Sequence, residues 1–350
     1  MSIGDSTDGY FKSYEDLEVH QLMLEDRPRT IAYKNAIFAC REKFQNKIVM
    51  DVGAGTGILS VFCAQAGASK VYAIEASDVA AIAKKVVHEN NFQDTIEVIQ
   101  SRVEDLKDVK NIEKVDIIVS EWMGFYLVHE GMLDSVLLAR DQFLREDGLI
   151  FPNEARLFVA PCELPSLYDF WDNLYGVNMK CLGKEQRRLK SMKPEILAVD
   201  KKDLLSDGTM LVWLDLGSVT SSELEFLGAE DIVVPCSRDG RYQGVCIWFS
   251  VIFPDESELS TSPQNALTHW KQTVVVWPED TEVEKDEPVA FRLHLKRDIL
   301  NQRTYNMELT MLDPEDVEHD IPCQCSMTKC IVTRAYIDEH PDCSTINNDV

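Results

Sequence analysis

Between residues 47 and 143, short apolar runs alternate with stretches whose apolar positions recur every three or four residues. The runs at 47–52, 70–75, 96–100 and 115–120 are β-branched and of strand length. Helical spacing follows the first run as far as residue 67, and returns over 79–90 and 132–143. Strands alternating with helices predict βαβ units and a parallel sheet. Ahead of them, 15–26 and 30–44 show helical spacing, interrupted at Pro28. The pattern changes near Phe151-Pro152. Runs at 208–216, 244–253, 273–277, 289–295 and 305–312, separated by Pro, Asp and Gly turns, predict an antiparallel barrel or sandwich. Within it, 165–190 is aromatic and helical in character, with Tyr168, Phe170, Trp171 and Tyr175, and suggests either a self-associating arm or packing against the first domain. The expected organisation is a helical N-terminal segment (1–45), an α/β domain (46–152), a β domain (153–340) and a frayed tail (341–350).

Two carboxylates break the apolar pattern. Glu121 and Glu130 stand in SEWMGFYLVHEGM (120–132), directly after the strand at 115–120, where open α/β sheets bind ligands. A buried carboxylate is costly unless it is paired. Two that converge could grip a planar guanidinium by bidentate hydrogen bonds, a geometry lysine cannot reproduce. An internal pair with an arginine such as Arg140 is the alternative.

The stretch IVMDVGAGTG (48–57) puts Gly53, Gly55 and Gly57 between a strand and a helix. Glycine there lets the backbone turn sharply and approach a ligand closely. Glu75, at the end of the next strand, is placed to accept both hydroxyls of a ribose. The spacing is G-x-G-x-G preceded by Asp51, not the dinucleotide pattern G-x-G-x-x-G. Asp51 would repel a pyrophosphate but could meet an ammonium, so S-adenosylmethionine (AdoMet) is favoured over a dinucleotide. Val103 and Glu104 follow the next strand and could read an adenine edge.

Composition narrows the partners. Sixty acidic against thirty-five basic residues give a formal charge of −25, which either serves solubility alone or, in repelling nucleic acid, favours cationic ligands such as basic protein tails. Ten cysteines suit a reducing compartment. The polar start MSIGDSTDGY lacks the features of a signal peptide, no apolar run is long enough to span a membrane, and an intracellular protein is expected. Cys323, Cys325, Cys330 and Cys343, with His319 and His340, follow C-x-C-x4-C-x12-C without paired C-x-x-C knuckles. With Cys330 placed in a strand over KCIVTRAY, buried thiols are expected and no metal.

SEWMGFYLVHEGML, THWKQ (268–272), YFKSY (10–14), VMDVGAGTGILS, YAIEAS and DGLIFP resemble, in order and spacing, the motifs of the type I protein arginine N-methyltransferase family. The resemblance implies a Rossmann-like AdoMet domain, a β-barrel domain and a helical dimerisation arm. It implies mono- and asymmetric dimethylation of arginine in proteins such as histones, in nucleus or cytoplasm, by a homodimer. By position, Glu121 and Glu130 would hold the substrate guanidinium. His269 would help close the substrate pocket beside Trp270, and Met123 and Met132 would line the transfer cavity. Arg29 would bind the AdoMet carboxylate, with His20 near it. Gly53 and Glu75 match the loop and ribose contacts, Glu104 the adenine contact, and Tyr14 the segment folding over the cofactor. Two departures stand out. The arm is about one helical turn short, and Gly131 replaces the usual serine, an exchange expected to loosen the loop. The remaining alternatives are an AdoMet enzyme acting on a small molecule or nucleic acid, and a non-catalytic scaffold of the same fold.

Overall fold

The computed structural model describes residues 16–109, 112–317 and 323–340. Tyr10, Phe11, Tyr14, His319 and Cys343 lie outside the described residues.

Five parallel strands, β1 (Ile48–Val52), β2 (Lys70–Glu75), β3 (Ile96–Gln100), β4 (Val115–Val119) and β5 (Leu144–Phe151), form a sheet in the order β3-β2-β1-β4-β5. Apart from its first residue β1 is buried throughout, as a central parallel strand covered on both faces should be. Crossovers are made by α3 (Ile58–Gln65), α4 (Ala80–Glu89) and α5 (Met132–Phe143). The strand order reverses between β1 and β4, which leaves a crevice beyond their carboxyl ends.

Two helices precede the sheet: α1 (Leu17–Glu25) and α2 (Arg27–Ala39). Pro28 does not break a helix but begins one. It occupies the first turn of α2, where a missing N–H costs nothing, and the Asp26 carboxylate caps the Arg29 N–H at 3.0 Å.

Beyond β5 the chain builds two antiparallel sheets. The larger contains β6 (Glu154–Cys162), β7 (Glu195–Leu197), β8 (Thr209–Asp215), β10 (Gly240–Ile252), β11 (Glu258–Ser260) and β12 (Gln272–Val283). Its order is β7-β12-β10-β6-β8, with β11 beside β10. The smaller is β14-β13-β9, formed by β9 (Phe226–Pro235), β13 (Pro288–Arg297) and β14 (Tyr305–Leu312). Strand β8 lies alongside β9, yet among the described residues backbone pairing does not close the two sheets into one continuous barrel. One apolar core runs through the α/β and β parts. Tyr33 of α2 packs edge-on to Phe253 at 4.9 Å, and the large buried rings include Phe151, Phe249 and Phe291.

Strands β5, β6, β7, β9 and β11 are absent from the sequence pattern. Segment 165–190 is helical only at its ends, in single turns at Pro165–Tyr168 and Asp169–Trp171 and in α6 (Lys180–Lys190). Between them the chain turns through a Leu174–Val177 bridge, with Tyr175 97% exposed. KCIVTRAY is not a strand: Cys330 lies in the first turn of α7 (Thr328–Glu339). Ile331 and Val332 are exposed rather than packed on a sheet, so their β-branched preference has nothing to act on and the backbone bonds to itself.

Candidate active site

The carboxyl ends of the parallel strands open into a cavity whose lining includes the glycine loop, Glu75, Glu104, Glu121 and Glu130. Sequence residues separated by up to 283 positions meet there, from His20 to Arg303, and α1, α2 and β14's leading loop all contribute walls.

One half is shaped by the glycine loop. Gly53 has φ +74°, a left-handed conformation that L side chains rarely adopt, and a Cβ on it would collide with the Met132 methyl. Gly55 lies beneath the His20 ring, 3.3 Å from the point where a Cβ would stand. Glu75 is positioned by the same loop. Its Oε2 accepts the Gly55 N–H at 2.8 Å, while Oε1 accepts the Ser77 N–H and hydroxyl at 2.8 and 2.7 Å. The carboxylate is thereby held with acceptor capacity left over for a diol. Val103 and Glu104 line the far wall, where the Ser135 hydroxyl donates to Glu104 at 2.8 Å. A close-approach glycine loop, an anchored carboxylate and a wall that sets Val103 beside the Glu104 carboxylate fit an adenosine-bearing group.

Asp51 does not join them. It is fully buried behind the loop, where its Oδ2 accepts the Ser60 hydroxyl at 2.6 Å and its Oδ1 has no hydrogen-bond partner among the described residues. Burial pushes its pKa up to about 7. The cavity wall in front of it is formed by Val52 and Gly53.

The other half holds the two glutamates, and Glu121 is already paired, with Arg29 rather than Arg140. Arg29 Nε donates to Glu121 Oε1 at 2.5 Å, and both side chains are about nine-tenths buried (9% and 10% exposed). Burial would lower the Arg29 pKa, but the Glu121 carboxylate outweighs it and holds the guanidinium charged. Arg140 instead donates to the Leu216 and Val219 carbonyls at 2.9 and 2.7 Å. One arginine thus reaches both the cofactor side and the first acceptor carboxylate.

Glu130 sits in a backbone conformation unusual for any residue but glycine, φ +76°, and lies 3.7 Å from His129 Nδ1. Such strain persists only where neighbours enforce it, and here the β13–β14 hairpin does so. Glu130 N–H donates to the Arg303 carbonyl at 2.8 Å, and Arg303 Nη1 donates back to the Glu130 carbonyl at 2.9 Å. Gly131 follows at φ +61°, where a Cβ would come within 3.1 Å of Arg303 Cα. Glycine at 131 therefore admits the close approach of the hairpin.

His269 and Trp270 stand behind the cavity wall. Asp26 Oδ2 accepts the His269 N–H at 2.8 Å and sits 2.7 Å from its Nδ1, while Oδ1 caps α2. Burial pushes the Asp26 pKa up, but these hydrogen bonds together hold it below the usual carboxylate value. Trp270 Nε1 donates to the Met123 carbonyl at 2.9 Å and Thr273 to the Phe125 carbonyl at 3.0 Å, so the second motif fastens the glutamate loop to the β domain. Asp26, Ser135 and Arg303 were missed by sequence reasoning. Asp26 carried a usable signal, an acid just before Pro28 at a helix start, whereas Arg303 had none because the hairpin alone delivers it.

Residues 153–312 match the arginine methyltransferase oligomerization subdomain, and residues 37–129 match the ribosomal protein L11 methyltransferase model. Protein arginine N-methyltransferase 6 of Danio rerio is 40% identical over 320 residues, covering 89% of this chain and 90% of that protein. Protein arginine N-methyltransferase 6 of Xenopus tropicalis is 41% identical over 303 residues, covering 84% and 88%. A crystal structure of PRMT6 with SAH superposes with TM-score 0.74 at 30% identity, covering 85% of this chain and all of that one. Protein arginine methyltransferase 10 of Arabidopsis thaliana gives TM-score 0.75 at 33% identity, covering 86% and 94%. By sequence and by fold, this chain belongs to the protein arginine N-methyltransferase family.

Proposed function

We propose that this protein transfers methyl groups from AdoMet to a terminal guanidino nitrogen of arginine in proteins, giving mono- and asymmetric dimethylarginine. The observation that carries the reading is the convergence of Glu121, Glu130 and the glycine loop on one cavity. Bound in this cavity, AdoMet would supply an electrophilic methyl and leave as S-adenosylhomocysteine, and the proton lost from the methylated guanidinium would pass to a glutamate carboxylate of the pair and on to water.

The chain's own residues do the positioning. Gly53 and Gly55 let the ligand lie against the backbone, Glu75 accepts the ribose hydroxyls, Val103 and Glu104 face the adenine, and Met132 packs against the loop. Arg29, with His20 beside it, receives the carboxylate of the methionyl end. Glu121 and Glu130 grip the incoming guanidinium and draw its positive charge to one side, which leaves more lone-pair character on the nitrogen to be methylated. Trp122 and Met123, both buried, keep water from the transfer path. His269 acts through Asp26, and so through the start of α2 that carries Arg29, as a positioning residue, with Trp270 bracing Met123.

The acidic surface favours arginine-rich, cationic substrates such as histone tails, and a nuclear or cytoplasmic location suits them. A homodimer built through 165–190 is supported by the match to an oligomerization subdomain and by the exposed Phe170, Tyr175 and Val177. Incubation with labelled AdoMet and an arginine-rich peptide tests the reading. Label is expected in asymmetric dimethylarginine by mass spectrometry, and Glu130→Gln is expected to abolish transfer while AdoMet still binds. Label passing only to nucleic acid or a metabolite would overturn it.

A further inference from the structure

Away from the cavity, three cysteines converge. The sulfurs of Cys323, Cys325 and Cys330 all lie within 4.8 Å of one another, with Cys325 and Cys330 fully buried and Cys323 half-buried. A tetrahedral zinc with Zn–S bonds of about 2.3 Å sets its sulfurs about 3.8 Å apart, so only small side-chain adjustments separate this cluster from a coordination shell. We propose that Cys323, Cys325 and Cys330 bind one zinc ion as thiolates, and that this ion fastens α7 to the β domain.

Three independent features support the site. The first is the polar surroundings of the sulfurs. The Cys325 N–H donates to Cys323 Sγ at 3.3 Å, and Cys330 occupies the first turn of the 12-residue helix α7, where a negative charge is favoured. The second is the charge balance. Three thiolates and one divalent cation leave a net charge of −1, and the Arg334 guanidinium sits beside them, donating to the carbonyls of Cys323 and Cys325. Arg334 lies one helical turn beyond Cys330, so two successive turns of α7 supply a ligand and hold the backbone of the other two.

The third is how little apolar burial holds α7 among the described residues, where its other ties are the hydrogen bonds of Lys329 and Arg334 to the Val317, Cys323 and Cys325 carbonyls. Of its twelve residues only Cys330 is buried, while Ile331, Val332 and Tyr336 are 47%, 61% and 54% exposed. An isolated helix of this length is marginal in water. The segment leading into it is tied down by the Ser326 N–H, which donates to the Asp286 carbonyl in the β12–β13 turn at 2.8 Å. Apolar burial cannot anchor a helix that buries one side chain, whereas a metal bridging that side chain to the preceding C-x-C can. The sequence still lacks C-x-x-C knuckles, but the second argument against zinc, Cys330 in a strand, does not hold. On the first turn of a helix it returns to the C-x-C and completes the set. The fourth position is left to water or an exogenous thiol.

The full-length protein, stripped of metal under reducing conditions, is titrated with Co²⁺ and then Zn²⁺. One equivalent of Co²⁺ is expected to give a thiolate-to-cobalt charge-transfer band that Zn²⁺ displaces. Hydrogen exchange of the α7 amides should slow at least about tenfold when zinc is bound. Cys323→Ser, chosen because that side chain is not fully buried, should weaken metal binding by at least about tenfold, and Cys181→Ser, at an exposed cysteine, should not. Chelation of the unmutated protein gives the same test without a substitution that could impair folding. No cobalt band, α7 exchange indifferent to zinc, or a disulfide between two of the three cysteines in the freshly reduced and purified protein would each overturn the proposal.

Discussion

Arg29 and Glu121 make a pair whose energetics can be measured directly. Their side chains are 9% and 10% exposed and 2.5 Å apart, and Arg29 also donates to the Met23 carbonyl at 2.9 Å. Arg29→Met keeps the stem but leaves Glu121 buried without its counter-charge, a change worth about 3 kcal/mol. Glu121→Gln keeps an acceptor for Arg29 and loses the opposite charge, worth about 2 kcal/mol. In the double variant neither charge is stranded, so its cost should fall short of the sum by about 2 kcal/mol. Urea unfolding of the four proteins at pH 7.5, followed by tryptophan fluorescence with slopes compared, measures that coupling. Single costs that add to within about 0.5 kcal/mol would show that Arg29 does not hold Glu121, and the linkage between cofactor side and acceptor side would fall with it.

Two further predictions concern Asp51 and Gly131. Asp51 has its pKa raised from 3.8 to about 7 by burial. Between those values the folded protein keeps a proton the unfolded chain has lost, so stability falls as pH rises from about 4 to about 7. Roughly three units at about 1.4 kcal/mol each give about 4 kcal/mol, and Asp51→Asn should flatten that slope; urea midpoints at pH 5 and pH 8 that shift alike in both proteins would refute it. Gly131→Ser, which places a Cβ 3.1 Å from Arg303 Cα at φ +61°, should cost about 1 kcal/mol and raise the KM for an arginine peptide more than that for AdoMet. Unchanged kinetics and melting would show that the hairpin does not depend on glycine there.

Much of the α/β half was readable because its signals are local. A fully covered parallel strand is apolar almost throughout, so β2, β3 and α5 agree with the pattern to the residue and β1 and β4 to within one. The β half was less readable. β9 carries Gly228, Glu230 and Asp231 within a strand, and β7 and β11 are only three residues long, too short for periodicity to register. The helix α7 was misread for a related reason: β-branched residues at 331–333 indicate a strand only where a sheet is there to cover them.

The sequence by itself determined the chemistry available: a glycine loop, an acid at the end of β2, two glutamates after β4 and a second motif whose partner could not be named. Those follow from residue type and spacing along one strand, turn or helix. Only the tertiary structure decided which charges meet. It turned Asp51 into the core, gave Glu121 to Arg29 across 92 positions, and made Asp26 the shared acceptor for α2 and His269. It also brought Arg303 to the second glutamate across 173 positions, which makes Gly131 a requirement of packing. Electrostatic pairing and close approach depend on distances in space, and residues far apart in the chain acquire those only when the sheet, the helices and the β hairpins have assembled.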